Sequence, residues 1–223
     1  MTRQPTHPQL TRALRSGPAQ QRLQAALAIG TEADDCFLDV LLERSRIEPD
    51  FFVRDMLTWA LTRLSPHLVV ARLIAELESE TPQARSQALH TLSKIGDRRA
   101  WAAMDPAVIG VDLIAHPDAV VARSAWRSAV ALVPGESRHE LASFLVTQLG
   151  RGDVEMQKSL SRALVSLGED VVSVVDGSVE AEEETVRAHA LATVEMFHDP
   201  DAGFAHALNE AKRVVALGSE ASA

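Results

Sequence analysis

Apolar residues recur along this chain at helical offsets, and the same set of offsets returns about every thirty-odd positions, the spacing of two-helix repeats. With Arg54, Arg85, Arg123, Gln157 and Arg187 as reference points, the copies lie 31, 38, 34 and 30 residues apart. Val53, Ala84, Ala122, Met156 and Val186 stand one before these points, and Leu57, Ala88, Trp126, Leu160 and Ala190 stand three after. Leu61, Leu92, Val130, Leu164 and Val194 follow at seven. Offsets of −1, +3, +6, +7 and +10 fall on one side of a 3.6-residue helix, so each copy predicts an amphipathic helix with one buried stripe. Gly96 and Gly168 mark helix stops, because glycine tolerates a left-handed cap, and Pro134 cannot continue a helix. Asp50, Asp118 and Asp153 mark starts, where a carboxylate caps free N–H groups and faces the positive helix end.

A second apolar-periodic segment follows each stop: Glu32–Arg44, His67–Glu78, Ala100–Ala115, Glu136–Gln148, Asp170–Val179 and Ala202–Leu217. Together with an earlier, looser copy over Ala19–Gly30, this predicts an all-α fold, an α-solenoid of about six helix pairs. No alternating strand pattern competes with it. The predicted organisation is a basic N-terminal segment or capping helix over 1–16, the repeat domain over 17–217 and a disordered tail over 218–223.

The recurring wording is an acid or Pro-Asp, then Val-Arg, then an Ala/Leu stripe ending in Leu-x-x-Ile-Gly. It is read in Pro49–Arg54, in Ala84-Arg85 through Ile95-Gly96, and in Glu184–Arg187. This resembles HEAT repeats of the bilin-lyase type over roughly residues 17–215. The resemblance implies an inter-repeat ladder of aligned Asp and Arg side chains, here Asp50, Arg54, Arg85, Asp118, Arg123 and Arg187. Gln157 departs from that pattern, and the third repeat is longer around Met104–Asp112.

Composition narrows function mainly by exclusion. Only 4% of residues are aromatic, with no Tyr, which argues against a base-stacking platform. The formal charge is −9, so the summed field disfavours nucleic acid and anionic membranes, although residues 1–31 carry Arg3, Arg12, Arg15 and Arg22. A single cysteine, Cys36, excludes intramolecular disulfides and points to a reducing cytoplasm. No stretch is long and apolar enough to predict a membrane span. The few lysines against many arginines suggest a GC-rich bacterial source.

Catalytic chemistry is sparse. A di-iron hydroxylase on such a scaffold needs several His-Glu pairs, and His139-Glu140 is alone. No His-x-x-x-His or Cys-x-x-Cys predicts zinc, so no metal and no cofactor are expected. Cys36 follows two acids, which raise a thiol pKa, and it is read as buried filler. The expected function is a non-catalytic interaction scaffold whose second helices line a concave face for another protein, with Arg72, Glu76, Arg98, Trp101, His139 and Lys212 as candidate contacts. Alternatives are a lyase-like or metal-dependent enzyme on the same scaffold, or an accessory to a nucleic-acid-binding regulator that uses the basic start.

Overall fold

The computed structural model describes residues 6–104, 113–199 and 203–220, and among these every regular element is helical. The long third-repeat segment lies mostly outside them. The chain divides into two compact units, Met1–Ala103 and Met104–Ala223. Among the described residues no helix is long and apolar enough to cross a membrane.

In the first unit, α1 (His7–Ser16) lies on α2 (Ala19–Glu32) and α3 (Leu38–Ser45). α4 (Phe51–Arg63) and α5 (Pro66–Glu76) form the next pair, followed by α6 (Pro82–Ile95) and the short α7 (Arg99–Ala102). First helices stack on first helices, α2 on α4 and α4 on α6. In the second unit, α8 (Ala119–Leu132), α10 (Val154–Ser166) and α12 (Glu184–His198) are the first helices. α9 (Arg138–Val146), α11 (Val172–Asp176) and α13 (Phe204–Glu220) follow them as partners. Here too α8 stacks on α10 and α10 on α12. A helix pair cannot bury its apolar stripe alone, and stacking neighbours makes the core continuous, the behaviour of a helical-repeat protein.

The predicted elements fall close to the observed ones, and the start signals act as expected. Asp50 Oδ1 accepts from the N–H groups of Phe52 (2.9 Å) and Val53 (3.1 Å). Asp118 does the same for Val120 and Val121, and Asp153 accepts from Met156 N–H at 2.8 Å. Gly96 ends α6 in the left-handed region, φ 71°. Gly30 serves a different purpose: a Cβ there would lie 2.3 Å from the Trp59 ring, so its bare backbone is what lets α2 sit against α4. Three second helices, α3, α9 and α11, open through a 3₁₀ turn, a detail the apolar spacing does not carry. α13 is helical through Glu220, where the sequence reading places a disordered tail from 218.

Each unit contains a buried polar hub. In the first, the Glu48 side chain has no solvent exposure and accepts from Arg22 Nε at 2.7 Å and Arg44 Nε at 2.6 Å. The Asp50 N–H donates to its other oxygen at 2.9 Å. Burial pushes the Glu48 carboxyl upward, but the hydrogen bonds from Arg22 and Arg44 outweigh it and hold the group at about 2. In the second unit, His189 is fully buried. Gly150 N–H donates to its Nδ1 at 2.9 Å, which assigns the ring proton to Nε2, facing Gln157 O at 3.0 Å and Ser161 Oγ at 2.9 Å. Ser161 and Thr193 hydroxyls then meet at 2.7 Å, and Thr193 donates back to His189 O. Burial pushes the imidazole down to about 4, only partly offset by its bond to Gln157.

Glu48→Ala leaves two nearly buried guanidinium groups without their anion and is expected to cost about 3–5 kcal/mol in denaturant unfolding. His189 is neutral in the fold but titrates near 6.5 once unfolded, so protons favour the unfolded state. Its contribution is therefore intact above pH 6.5 and is lost as pH falls toward 4, in all about 3 kcal/mol. Stability measured across that window should fall with a slope of about 1.4 kcal/mol per pH unit from this group, and His189→Gln should flatten it. An unchanged slope in the variant would assign the titration elsewhere.

Candidate functional site

The placement of the aligned arginines decides which cations remain free. The residue four after the cap reaches back to the carbonyls of the loop that delivers its helix. Arg54 Nη1 donates to Glu48 O (3.1 Å) and Pro49 O (2.8 Å), Arg85 Nε to Ser79 O, and Arg187 Nη1 to Ala181 O and Glu182 O. Arg22, which the repeat reading did not include, does the same with Gly17 O at 2.7 Å. Gln157 substitutes with its amide nitrogen on Gly150 O and Gly152 O, leaving its Oε1 buried without a hydrogen-bond partner.

The expected Asp–Arg ladder is therefore corrected in two ways. Asp50 and Asp118 spend their carboxylates on their own helix starts, and the guanidinium groups bind loop carbonyls. Arg123 is not a member at all: counted from the cap Asp118, the tying position is the buried Ala122, one residue earlier. Arg123 instead turns its Nε onto Ala119 O of its own helix, and the loop carbonyls of His116 and Pro117 are held by Arg151.

Released from that task, Arg123 joins Arg127, Lys158 and Arg162 along a groove of about 410 Å³ between α8 and α10. Val120, Val130 and Ala163 supply its apolar floor, and Glu155 is its only acid. Arg123 and Lys158 stand five residues after their caps, Asp118 and Asp153, and Arg127 and Arg162 stand nine after. The two helices thus present cations in register. Lys158 has a loose contact to Glu155 at 3.8 Å. Among the described residues, Arg123, Arg127 and Arg162 have no carboxylate at ion-pair distance. Partial loss of solvent, and then the charge of Arg123, push Arg127 below the ordinary guanidinium range. The signal in the sequence was a basic residue at cap +5 and again at cap +9 in two successive repeats; an alignment on Arg123 rather than on the caps hides it.

The residues read as partner contacts scatter. Arg72 is half-exposed and paired with Asp39 at 2.6 Å. Glu76 is buried and paired with Arg46, and Trp101 is only 7% exposed, so both are part of the interior rather than surface contacts. Their helical spacing put them on the inward side. Arg98, His139 and Lys212 are exposed. The cation-lined groove lies between first helices, whereas the second helices were expected to offer the binding face.

Cys36 is exposed, not buried filler, because Phe37 beside it takes the core position. Its Sγ lies 3.6 Å from His7 Nδ1, and His7 Nε2 lies 2.5 Å from Glu32 Oε1. In outline this is a thiol with a base and an orienting acid. Partial loss of solvent at the sulfur and then Asp34 push the thiol up to about 11, however, so the nucleophilic thiolate is scarce at neutral pH. Hydrogen bonding to Glu32 raises His7 from its ordinary value.

No family model matches the chain, and no curated protein matches it. Among solved structures it is similar to an engineered protein, at 20% identity and TM-score 0.47, covering 85% of this chain and 95% of that one. It is also similar to the complex of CpcE and CpcF of phycocyanin lyase from Nostoc sp. PCC7120, at 18% identity and TM-score 0.38, covering 96% of each. At these values neither likeness speaks to activity. The class the chain itself defines is an all-helical repeat protein.

The loop ties make a direct prediction. Arg54→Met keeps the stem but removes a charged donor from two loop carbonyls, and it is expected to cost about 1.5–3 kcal/mol in thermal or denaturant unfolding. The same change at Arg123, which ties no loop, is expected to fall within about 0.5 kcal/mol of wild type.

Proposed function

We propose that this chain is a non-catalytic interaction module of HEAT-like type that captures an acidic segment of another protein in the α8–α10 groove. One observation carries the reading: four cations stand in register on neighbouring helices of a chain with net charge −9, and three of them lack an acid. Charges held this way retain field to offer a ligand, whereas charges spent on internal ion pairs do not. Cations spaced one turn apart on each helix suit a short helical or extended acidic stretch lying along an apolar floor. A long nucleic acid fits less well, because the groove holds no ring for stacking and phosphates running beyond it would meet the acidic remainder of the surface.

The test is a fluorescence-anisotropy titration with a labelled Glu-rich peptide, set beside a labelled DNA strand of matched charge. Peptide binding that weakens with salt and drops at least tenfold in Arg127→Glu/Arg162→Glu, about 1.4 kcal/mol or more, is expected. Tighter binding of DNA than of peptide, or peptide affinity unchanged in the double variant, would overturn the reading.

A further inference from the structure

We propose that His7, Asp34 and Cys36 form a binding site for a zinc-type divalent cation, with Glu32 as the positioning residue behind His7. The imidazole nitrogen, thiol sulfur and carboxylate oxygen of these three side chains all lie within 4.8 Å of one another. A tetrahedral ion with bonds of about 2.3 Å to sulfur and about 2.05 Å to nitrogen sets those two donors about 3.6 Å apart. The observed Sγ–Nδ1 separation is 3.6 Å. The two donors therefore stand at the bite such an ion requires.

The surroundings are those of a ligand set. Glu32 accepts from His7 Nε2, which fixes the ring proton there and leaves the Nδ1 lone pair pointing toward Cys36; this is the carboxylate–histidine arrangement that commonly supports metal-bound imidazoles. Asp34 Oδ1 accepts the Cys36 N–H at 2.8 Å, holding carboxylate and thiol on one tight turn. His7 and Cys36 are exposed and Asp34 is half-buried, so an ion can enter and a water can complete the fourth position. Sulfur, nitrogen and oxygen together favour Zn²⁺ or Co²⁺ over Mg²⁺ or Ca²⁺, which take oxygen alone. Binding converts the Cys36 thiol to a thiolate and releases its proton to solvent. The bound ion joins the first residue of α1 to the turn ahead of α3, so it fastens the N-terminal helix to the helix pair beneath it. The site is in the first unit and independent of the α8–α10 groove, so either can fail without the other.

Cobalt tests this directly, because the chain has one cysteine and any thiolate-to-cobalt band reports that residue alone. Tag-free, chelator-treated full-length protein titrated with Co²⁺ is expected to saturate at one ion per chain, to develop a near-ultraviolet thiolate charge-transfer band and to lose both on addition of Zn²⁺. Cys36→Ser should abolish the band, and Glu32→Gln should weaken Co²⁺ binding by roughly 10–100-fold while retaining it. All four side chains are at the surface, so far-ultraviolet circular dichroism of the variants should match wild type. Absence of the band in wild type, equal Co²⁺ affinity in Cys36→Ser, or saturation at half an ion per chain would overturn the proposal.

Discussion

The bond from a helix back to the loop that delivers it is the constraint on which the stacking depends. A chain that reverses after every helix exposes carbonyls at each reversal, and those carbonyls sit beside a core that water does not reach. Arg54, Arg85, Arg187 and Arg22 answer this with a donor fork placed four residues into the next helix. The tie fixes the angle at which the loop enters the helix, and so the direction in which the apolar stripe faces its neighbour. Lysine would place a single charge there; the guanidinium can serve two carbonyls at once, as Arg54 and Arg187 do.

Where the tie changes, the neighbourhood changes with it. At α10 the shorter Gln157 reaches the loop only with its amide nitrogen, and the space around it is filled by the His189, Ser161 and Thr193 network. At α8 the position is Ala122, and Arg151 approaches the same loop from the next one along. The repeats are thus alike in their apolar stripe and different in their polar contacts. Glu48 makes the same point in the first unit: it joins Arg22, Arg44 and the start of α4.

Helices, stops and caps were legible because each has a local cause: a period of 3.6, a glycine or proline, a carboxylate before the first turn. The stripe was legible for the same reason, and Trp126, read as core, is fully buried with its Nε1 donating to Ile114 O. What was not legible depends on distance. Glu76 looked free because its partner Arg46 lies 30 positions away, and Trp101 because it is buried on a helix of four residues, too short to show a period. His7 and Cys36 are separated by 29 positions and match no short metal motif, since one is brought by the start of α1 and the other by a turn after α2. The groove failed to show for another reason: an apolar stripe tolerates a shift of one residue between alanine and valine, so periodicity alone placed Arg123 at the wrong register, and only the cap fixes the count.

That one-residue shift also explains how an acidic chain comes to hold a cationic groove. At cap +4 a guanidinium is consumed by the loop; at cap +5 it is rotated about 100° around the helix axis, away from the loop and toward the neighbouring first helix. Arg123 and Lys158 occupy that second position, and Arg127 and Arg162 continue it one turn on. In α4 and α6 the corresponding places hold Asp55, Trp59, Ser86 and His90, so the cation stripe belongs to α8 and α10 rather than to the repeat as such. Stacking alone does not need four like charges facing one another across a groove, because their mutual repulsion opposes it. On the proposed reading, an acidic ligand in the groove would turn that repulsion into attraction, which is what a stripe of cations on α8 and α10, and not on α4 or α6, would serve.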